Sequence, residues 1–321
     1  MNQVGLLPAI SETIVKENKV VINQHQREYK EEIEKVKVPL GKRPDWLKVK
    51  LPQGENYSDV KGLMRNQHLH TVCEEARCPN IAECWNHRTA TFMILGDTCT
   101  RSCGFCNVKT GMPTELDLDE PRRVAESVKE LKLRHVVITS VNRDELKDGG
   151  ASIFMETVKL INESMPDTTV EILIPDFRGV VDAFKIIMKN PPDILNHNLE
   201  TVPRLYHVVR PQAKYERSLA LIKWFKDKYL KTKSGIMVGI GETNDEVLET
   251  MHDLVNHGCD ILTIGQYLQP TKMHLPVDRF VTLDEFKLYK EEGLKMGFKI
   301  VESSPLVRSS YHADEQARAL F

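Results

Sequence analysis

Six of the seven cysteines lie between Cys73 and Cys106, in two different sets of three, and no other feature constrains the chain as strongly. The first set is Cys73, Cys78 and Cys84, spaced C-x4-C-x5-C; the second is Cys99, Cys103 and Cys106, spaced C-x3-C-x2-C within CTRSCGFC. A cubane iron–sulfur cluster has four irons, so three thiolates leave one iron open to another ligand. Two clusters of that kind side by side point to redox or radical chemistry. Disulfides fit poorly, because the chain is long, the cysteine count is odd and no secretory signal is visible. A structural zinc site takes four ligands, commonly in C-x2-C pairs, and only Cys103 and Cys106 have that spacing. His68, His70 and His87 lie near enough in sequence to complete such a site, so zinc stays open at this level. Cys259, in HGCDILTIG, opens an apolar strand and reads as a packing residue.

The second set has an aromatic residue, Phe105, just before its third cysteine, and it follows an apolar strand candidate, Thr91–Leu95. In both respects it resembles the signature of the radical S-adenosylmethionine (SAM) superfamily. The resemblance implies that Cys99, Cys103 and Cys106 hold a [4Fe–4S] cluster whose fourth iron is chelated by the amine and carboxylate of SAM. Reductive cleavage of SAM would then release a 5′-deoxyadenosyl radical that abstracts hydrogen from an unactivated carbon.

The first set narrows the likeness. C-x4-C-x5-C shortly before such a motif resembles the lipoyl synthase family, and the match extends through TVCEEARCPNIAEC (71–84), DTCTRSCGFCN (97–107), TSVNRDELKDGG (139–150), NHNLETV (196–202), GIGE (239–242), GQYLQPT (265–271) and RSSYHA (308–313). It runs from about Arg43 to Ala313 with no departure at these positions.

Strand candidates at 91–95, 135–141, 169–175, 193–196, 233–240 and 260–267 alternate with helix candidates at 121–132, 151–164, 180–189, 216–229, 244–257 and 283–296. Six β–α units imply a parallel sheet with right-handed crossovers. Pattern alone allows a doubly wound open sheet; the resemblance implies an α/β partial (β/α)6 barrel of the TIM type, open on one side to a bulky substrate. The expected organisation is a charged tail over 1–42, an auxiliary-cluster segment over 43–90, the barrel over 91–300 and a closing segment over 301–321. Residues 24–37 read as a solvated helix. Forty-four basic and 46 acidic residues give no electrostatic case for nucleic acid. No apolar run reaches membrane-spanning length. The first residues lack the character of an export or import signal, so the cytoplasm is the expected location.

In barrels of this type chemistry sits at the carboxyl ends of the strands. Polar residues cluster there: Asn142 and Asp144 after the second strand, Asn198 and Glu200 after the fourth, and the glycines of GIGE with Glu242 after the fifth. Helix capping explains such residues equally well. Given the resemblance, Asn142, Asp144, Asn198 and Glu200 are expected to bind SAM, and Phe105, Asn107 and Val108 to contact its adenine. The second serine of RSSY, Ser310, is implied to be the fourth ligand of an auxiliary cluster held by Cys73, Cys78 and Cys84. A hydroxyl ligand is hard and poorly matched to soft iron–sulfide, so it can leave during turnover. Arg308 stands beside it, with charge compensation or a surface position equally open.

The activity implied is insertion of two sulfur atoms, at C6 and C8, into an octanoyl chain on a lysine of a carrier protein. It uses two [4Fe–4S] clusters and two SAM per lipoyl group, the auxiliary cluster being consumed as the sulfur source. The implied partners are an octanoylated lipoyl carrier domain or glycine-cleavage carrier protein, a ferredoxin- or flavodoxin-type electron donor and an iron–sulfur cluster carrier. Two rivals remain at this level, another radical SAM enzyme with an auxiliary cluster and a non-enzymatic iron–sulfur carrier.

Overall fold

The structure is a computed structural model that describes residues 24–36, 43–48, 55–86 and 91–321. In chain order its helices are α1 (Gln24–Val36), α2 (Glu55–Asn66), α3 (Val72–Glu75), α4 (Ile81–Asn86), α5 (Glu120–Leu131), α6 (Ala151–Ser164), α7 (Val181–Ile187), α8 (Tyr206–Val209), α9 (Tyr215–Lys226), α10 (Asn244–Asn256), α11 (Leu283–Met296) and α12 (Ala313–Leu320). The strands are β1 (His70–Thr71), β2 (Thr91–Ile94), β3 (Thr98–Cys99), β4 (Lys109–Thr110), β5 (His135–Ser140), β6 (Thr169–Leu173), β7 (Ile194–Asn196), β8 (Lys231–Val238), β9 (Ile261–Gln266) and β10 (Ile300–Ser303).

Local sequence sets the helix ends. Thr243 with Glu246, and Thr282 with Glu285, form reciprocal capping boxes that satisfy the first amides of α10 and α11. Gly297 ends α11 in the left-handed conformation, which costs a residue without Cβ nothing. The strands β2, β5 and β9 are almost wholly buried, as parallel strands covered by helices must be.

Apart from β3 and β4, which pair with each other, the strands form one sheet in the order β1-β2-β5-β6-β7-β8-β9-β10; β1 runs antiparallel and all other neighbours are parallel. A doubly wound sheet would reverse its strand order midway. Here the order follows the sequence without reversal, so the sheet is the barrel type. Residues from strands far apart in that order, Met93, Thr139, Gly235 and Thr263, face one common cavity, so the sheet curls into a partial barrel. Its edges, β1 and β10, do not pair.

Three features depart from the expectation. A seventh parallel strand, β10, follows the sixth helix and pairs with β9, straddling the expected boundary at 300. The closing segment ends in a helix, α12, whose Ala317 packs in a small apolar cluster with Ile194 and Ile261 at the amino ends of β7 and β9. The helix expected to be solvated, α1, instead docks one face on the barrel: Gln26 is 1% exposed, and Tyr29 Oη donates to Ile240 O at 3.0 Å. The rest of the expected tail, residues 1–23 and 37–42, lies outside the described residues, as does His87.

A charged group sits inside the barrel. Lys233 and Glu171, both fully buried, pair at 3.0 Å, and Asn196 Nδ2 donates to Glu171 at 2.8 Å. A buried ion pair is tolerated when its remaining bonding capacity is met by neighbours in this way.

Candidate active site

The loop leaving the carboxyl end of β2 carries Cys99, Cys103 and Cys106. It is closed by the short β3–β4 pairing, with Gly111 N donating to Cys99 O at 2.9 Å. Thr100 is tied by its amide and its hydroxyl to Asn142 O, each at 3.0 Å. The amides of Asn142 and Arg101 point at Cys99 Sγ, at 3.3 and 3.5 Å. Such N–H···S contacts favour a thiolate and tune a cluster bound to it. Arg101 is buried and braces the loop from behind, with Nε and Nη2 on Asp144 at 2.6 and 2.8 Å and Nη2 on Asp176 at 2.6 Å.

Of the residues expected to contact SAM, Asp144 is not on the cavity wall; both its oxygens accept from Arg101, which is. The GIGE expectation also changes. Glu242 turns inward and accepts from Gly239 N at 2.5 Å and Ile240 N at 3.0 Å. Gly239 has positive φ and is crowded by Gln266 and the Arg279 carbonyl, and Gly241 by the Tyr29 hydroxyl. At both glycines protein groups approach the backbone closely.

The remaining candidates share one cavity of about 530 Å³ at the carboxyl ends of the strands. Cys99, Cys103 and Cys106 line it, as do Phe105, Asn107, Val108, Asn142, Asn198 and Glu200. Four buried polar atoms on its wall have no partner: Ser140 Oγ, Asn142 Oδ1, Asn198 Oδ1 and Arg210 Nε. Buried polar atoms are normally satisfied, so these four mark where a polar ligand fits. A side chain on Gly235 would stand 2.6 Å from Thr263 Oγ1 and 2.9 Å from Asn198 Oδ1, which keeps this position a glycine. Glu200 holds φ at 69°, uncommon for a residue with a side chain. Burial pushes its carboxyl above the usual range, with Arg210 opposing. Asn107 lines the cavity, but its Nδ2 donates to Glu75 O at 2.8 Å and joins the two cysteine segments. Sequence reasoning missed Arg210, whose Nη1 donates to the Asn198 carbonyl at 2.6 Å. Nothing marks it in the sequence except an arginine following VV.

The first cysteine set is assembled from both ends of the chain. Thr71 caps α3, Cys78 N donates to Cys73 O at 3.0 Å, and Cys84 N donates to Asn80 O at 3.0 Å. Asn80 Nδ2 then donates to Leu306 O at 2.8 Å, and Tyr311 Oη to Glu83 at 3.3 Å. The chain reaches this point by extending the β10 pairing, with Ser304 N on Ile264 O and Pro305 O accepting from Gln266 N, both at 3.1 Å. The Val307 carbonyl then crosses directly over Gly265, where no Cβ would fit. Ser310 is thereby delivered to a cavity of about 250 Å³ that Cys73, Cys78 and Cys84 also line. Arg308 faces both cavities, which excludes the surface position left open by sequence. Desolvation pulls its guanidinium below its ordinary value, while Cys78 and Glu200 act the other way.

Two sets of three cysteines, soft donors suited to iron–sulfur centres, line the two cavities. Among the described residues, no three His, Cys, Asp or Glu side chains converge on one metal position, as a tetrahedral zinc requires. His68 and His70 are not on either cavity wall. Burial pushes the thiols of Cys73 and Cys84 up to about 12 and of Cys103 to about 11, and raises Cys78 and Cys106 as well. Buried soft donors of this kind become thiolates when a cationic centre displaces their protons. Cys259 is buried elsewhere, its Sγ directed at Ile261 O at 3.2 Å, in line with a packing role.

Comparison with known proteins agrees with this geometry. A family model described as the radical SAM superfamily matches residues 93–254, and one described as the N-terminal domain of lipoyl synthase matches residues 8–78. Lipoyl synthase of Rubrobacter xylanophilus is 62% identical over 85% of this chain and 86% of that protein. The relative from Symbiobacterium thermophilum is 58% identical over 88% and 89%, and that from Laribacter hongkongensis 51% identical over 92% and 98%. Among solved structures, Streptococcus suis SuiB bound to S-adenosylmethionine aligns with a TM-score of 0.54 at 13% identity, over 71% of this chain and 54% of that one. HydG, a maturase of the [FeFe]-hydrogenase, aligns at 0.51 and 14% identity, over 93% and 78%. Those two likenesses carry the fold; the sequence identity carries more, and the chain belongs to the lipoyl synthase family of radical SAM enzymes.

Proposed function

We propose that this chain inserts sulfur at C6 and C8 of an octanoyl chain borne on a lysine of a carrier protein, consuming two SAM per lipoyl group. One observation supports the reading above others: Ser310 and the first cysteine set line a cavity that shares Cys73, Cys78, Arg308 and Ser310 with the cavity of the second set. When bound, a [4Fe–4S] cluster at Cys99, Cys103 and Cys106 supplies the electron that cleaves SAM, and a second at Cys73, Cys78, Cys84 and Ser310 supplies sulfide sulfur.

The protein's own residues position and enclose. Asn142, Asn198, Glu200 and Arg210 offer unpartnered or charged groups to the amine, carboxylate and ribose of SAM, and Phe105 and Val108 offer apolar surface to its adenine. Met93, Leu173, Met237 and Leu268 give an aliphatic chain a dry wall. Arg308 places positive charge between the two sets, where thiolates gather negative charge. Holding carbon, hydrogen acceptor and sulfur in contact is worth several orders of magnitude in rate. The partners that follow are an octanoylated lipoyl domain or glycine-cleavage carrier protein, a ferredoxin- or flavodoxin-type donor and a carrier that restores the consumed cluster.

The test is anaerobic incubation of the reconstituted protein with an octanoyl-lysine peptide, SAM and reductant, read by mass spectrometry. Gain of two sulfurs per peptide is the expected result. SAM cleavage without sulfur gain would reduce the reading to another radical SAM reaction, and no SAM cleavage would leave an iron–sulfur carrier.

A further inference from the structure

The helix α1 is rich in charge, yet it places three donor side chains on four backbone carbonyls. Gln26 Nε2 reaches Val208 O at 2.9 Å and Ser102 O at 3.2 Å. Tyr29 Oη reaches Ile240 O at 3.0 Å, and Lys30 Nζ reaches Lys272 O at 2.6 Å. Those carbonyls belong to four separate segments at the carboxyl end of the barrel, following β2, β7, β8 and β9. One of them, Ser102, lies inside the cysteine loop CTRSCGFC.

The same loop is held from a second side. Leu275 N donates to Gly104 O at 3.0 Å. His274 is fully buried between Thr271 Oγ1 at 2.8 Å and Cys106 O at 2.9 Å. Gly104 N donates to Val209 O at 2.9 Å. A Cβ on Gly104 would stand 2.7 Å from Leu275 and 3.0 Å from Gln26 Nε2, so a residue without a side chain is needed between the two. Burying an amide is costly unless its hydrogens are bonded. Gln26 meets that cost in part by gripping the loop and α8 together.

We infer that α1 is a strap on the SAM-side cysteine loop and that Gln26 is its positioning residue, fixing Cys103 and Cys106 in the spacing a cluster needs. The inference rests on the reading that Cys99, Cys103 and Cys106 hold a cluster. The bonds of Gln26, Tyr29 and Lys30 given above go to the second-set loop and its neighbours at the carboxyl end of the barrel, so the two sites in one chain are probe and control.

The test compares the wild-type chain with Gln26→Met, which keeps length without a donor, and Gln26→Glu, which turns a carboxylate toward two carbonyl oxygens. Each is made in two backgrounds, one carrying only the second cysteine set and one carrying only the first, and iron loss to a chelator is followed anaerobically. In the second-set background, Gln26→Met should speed iron loss about tenfold. Gln26→Glu should speed it further at neutral pH and less at acid pH, where a protonated carboxyl again donates. The first-set background should be unmoved. In the cluster-free chain, alkylation of Cys103 and Cys106 should quicken in both variants while that of Cys84 does not. Equal acceleration at both sites would reduce Gln26 to general stability and overturn the inference, as would unchanged rates at the second set. If the second-set background binds no iron at all, the cluster assignment fails instead, and the alkylation result still decides the strap.

Discussion

The two cysteine regions solve the same problem by opposite means. The second set is local: its three cysteines occupy one loop at the end of β2, fixed by main-chain bonds and by Arg101. The first set is composite. Its cysteines lie on α3, α4 and the turn between them, and its fourth candidate, Ser310, arrives from the far end of the chain across Gly265. A local set keeps its three cysteines together even when a distant brace such as Gln26 is cut, whereas a composite one loses its fourth candidate whenever its distant half is displaced.

The sharpest way to break the comparison is to remove one set at a time. With Cys99, Cys103 and Cys106 changed to Ala, iron should fall from about eight per chain to about four and SAM cleavage should vanish. With Cys73, Cys78 and Cys84 changed to Ala, the iron loss should match but SAM cleavage should persist, with no thiolated product. Thiolation by the latter variant supplied only with sulfide would remove the sacrificial role from the first set.

A second substitution touches no cysteine. Gly265→Val puts a side chain where the Val307 carbonyl crosses, so the segment carrying Ser310 must move. Misplacement of about 1 Å is enough to cost about 10²-fold in a positioned reaction. Sulfur insertion should fall by about that factor while SAM cleavage stays near wild type. Equal loss of both activities would mean that the two sites are not separable.

Ser310 itself should give a smaller effect. Ser310→Ala should weaken iron retention at the first set by about tenfold, and Ser310→Cys should retain iron but slow product formation through a softer ligand. Ser309→Ala is the control and should be mild in both assays, because only Ser310 lines the smaller cavity. Dithiolated product per chain, with iron content, decides between them.

The smallest effect belongs to the barrel beneath the SAM side. His197 is buried, bonded to Ile174 O at 2.8 Å and Ser218 Oγ at 2.9 Å, and burial lowers its pKa to about 4. Below its ordinary value near 6.5 the unfolded chain takes up a proton that the folded chain refuses until about pH 4. Stability should therefore fall as pH drops through that window, by about 3 kcal/mol in total. His197→Gln should flatten that slope in urea melts without changing SAM cleavage at neutral pH. An unchanged slope would place the acid sensitivity elsewhere.

Much of this was legible in the chain. Ala151–Ser164 ends where its periodicity places it, and Leu283–Met296 where its periodicity and the Gly297 cap do. The six expected strands all form, within a few residues, because continuous apolar runs bounded by turns have few other uses. Strand β10 was missed because Ile300–Ser303 contributes only one fully buried residue, so its signal is weak. Helix α1 was read as solvated because charged residues dominate it, and a buried glutamine such as Gln26 carries no hydrophobic signal of its own. Charged residues inside β6 and β8, Glu171 and Lys233, were visible in the sequence, but only the curl of the sheet brings them together.

The sequence by itself carried the motifs on which the family resemblance rests, since cysteine spacing and an aromatic neighbour are local facts that survive without coordinates. It also determined the alternation that makes a parallel barrel. The tertiary structure alone decided which polar residues face the cavity: Asn142 and Asn198 do, while Asp144 and Glu242 turn to Arg101 and to backbone amides. Sequence cannot separate these, because a carboxylate after a strand bonds whichever donor the packed loops bring nearest. Ser310 shows the same limit over a longer range. Its place beside the first cysteines depends on a strand pairing, a missing side chain at Gly265 and a bond from Asn80, and each of those exists only once the chain has closed on itself.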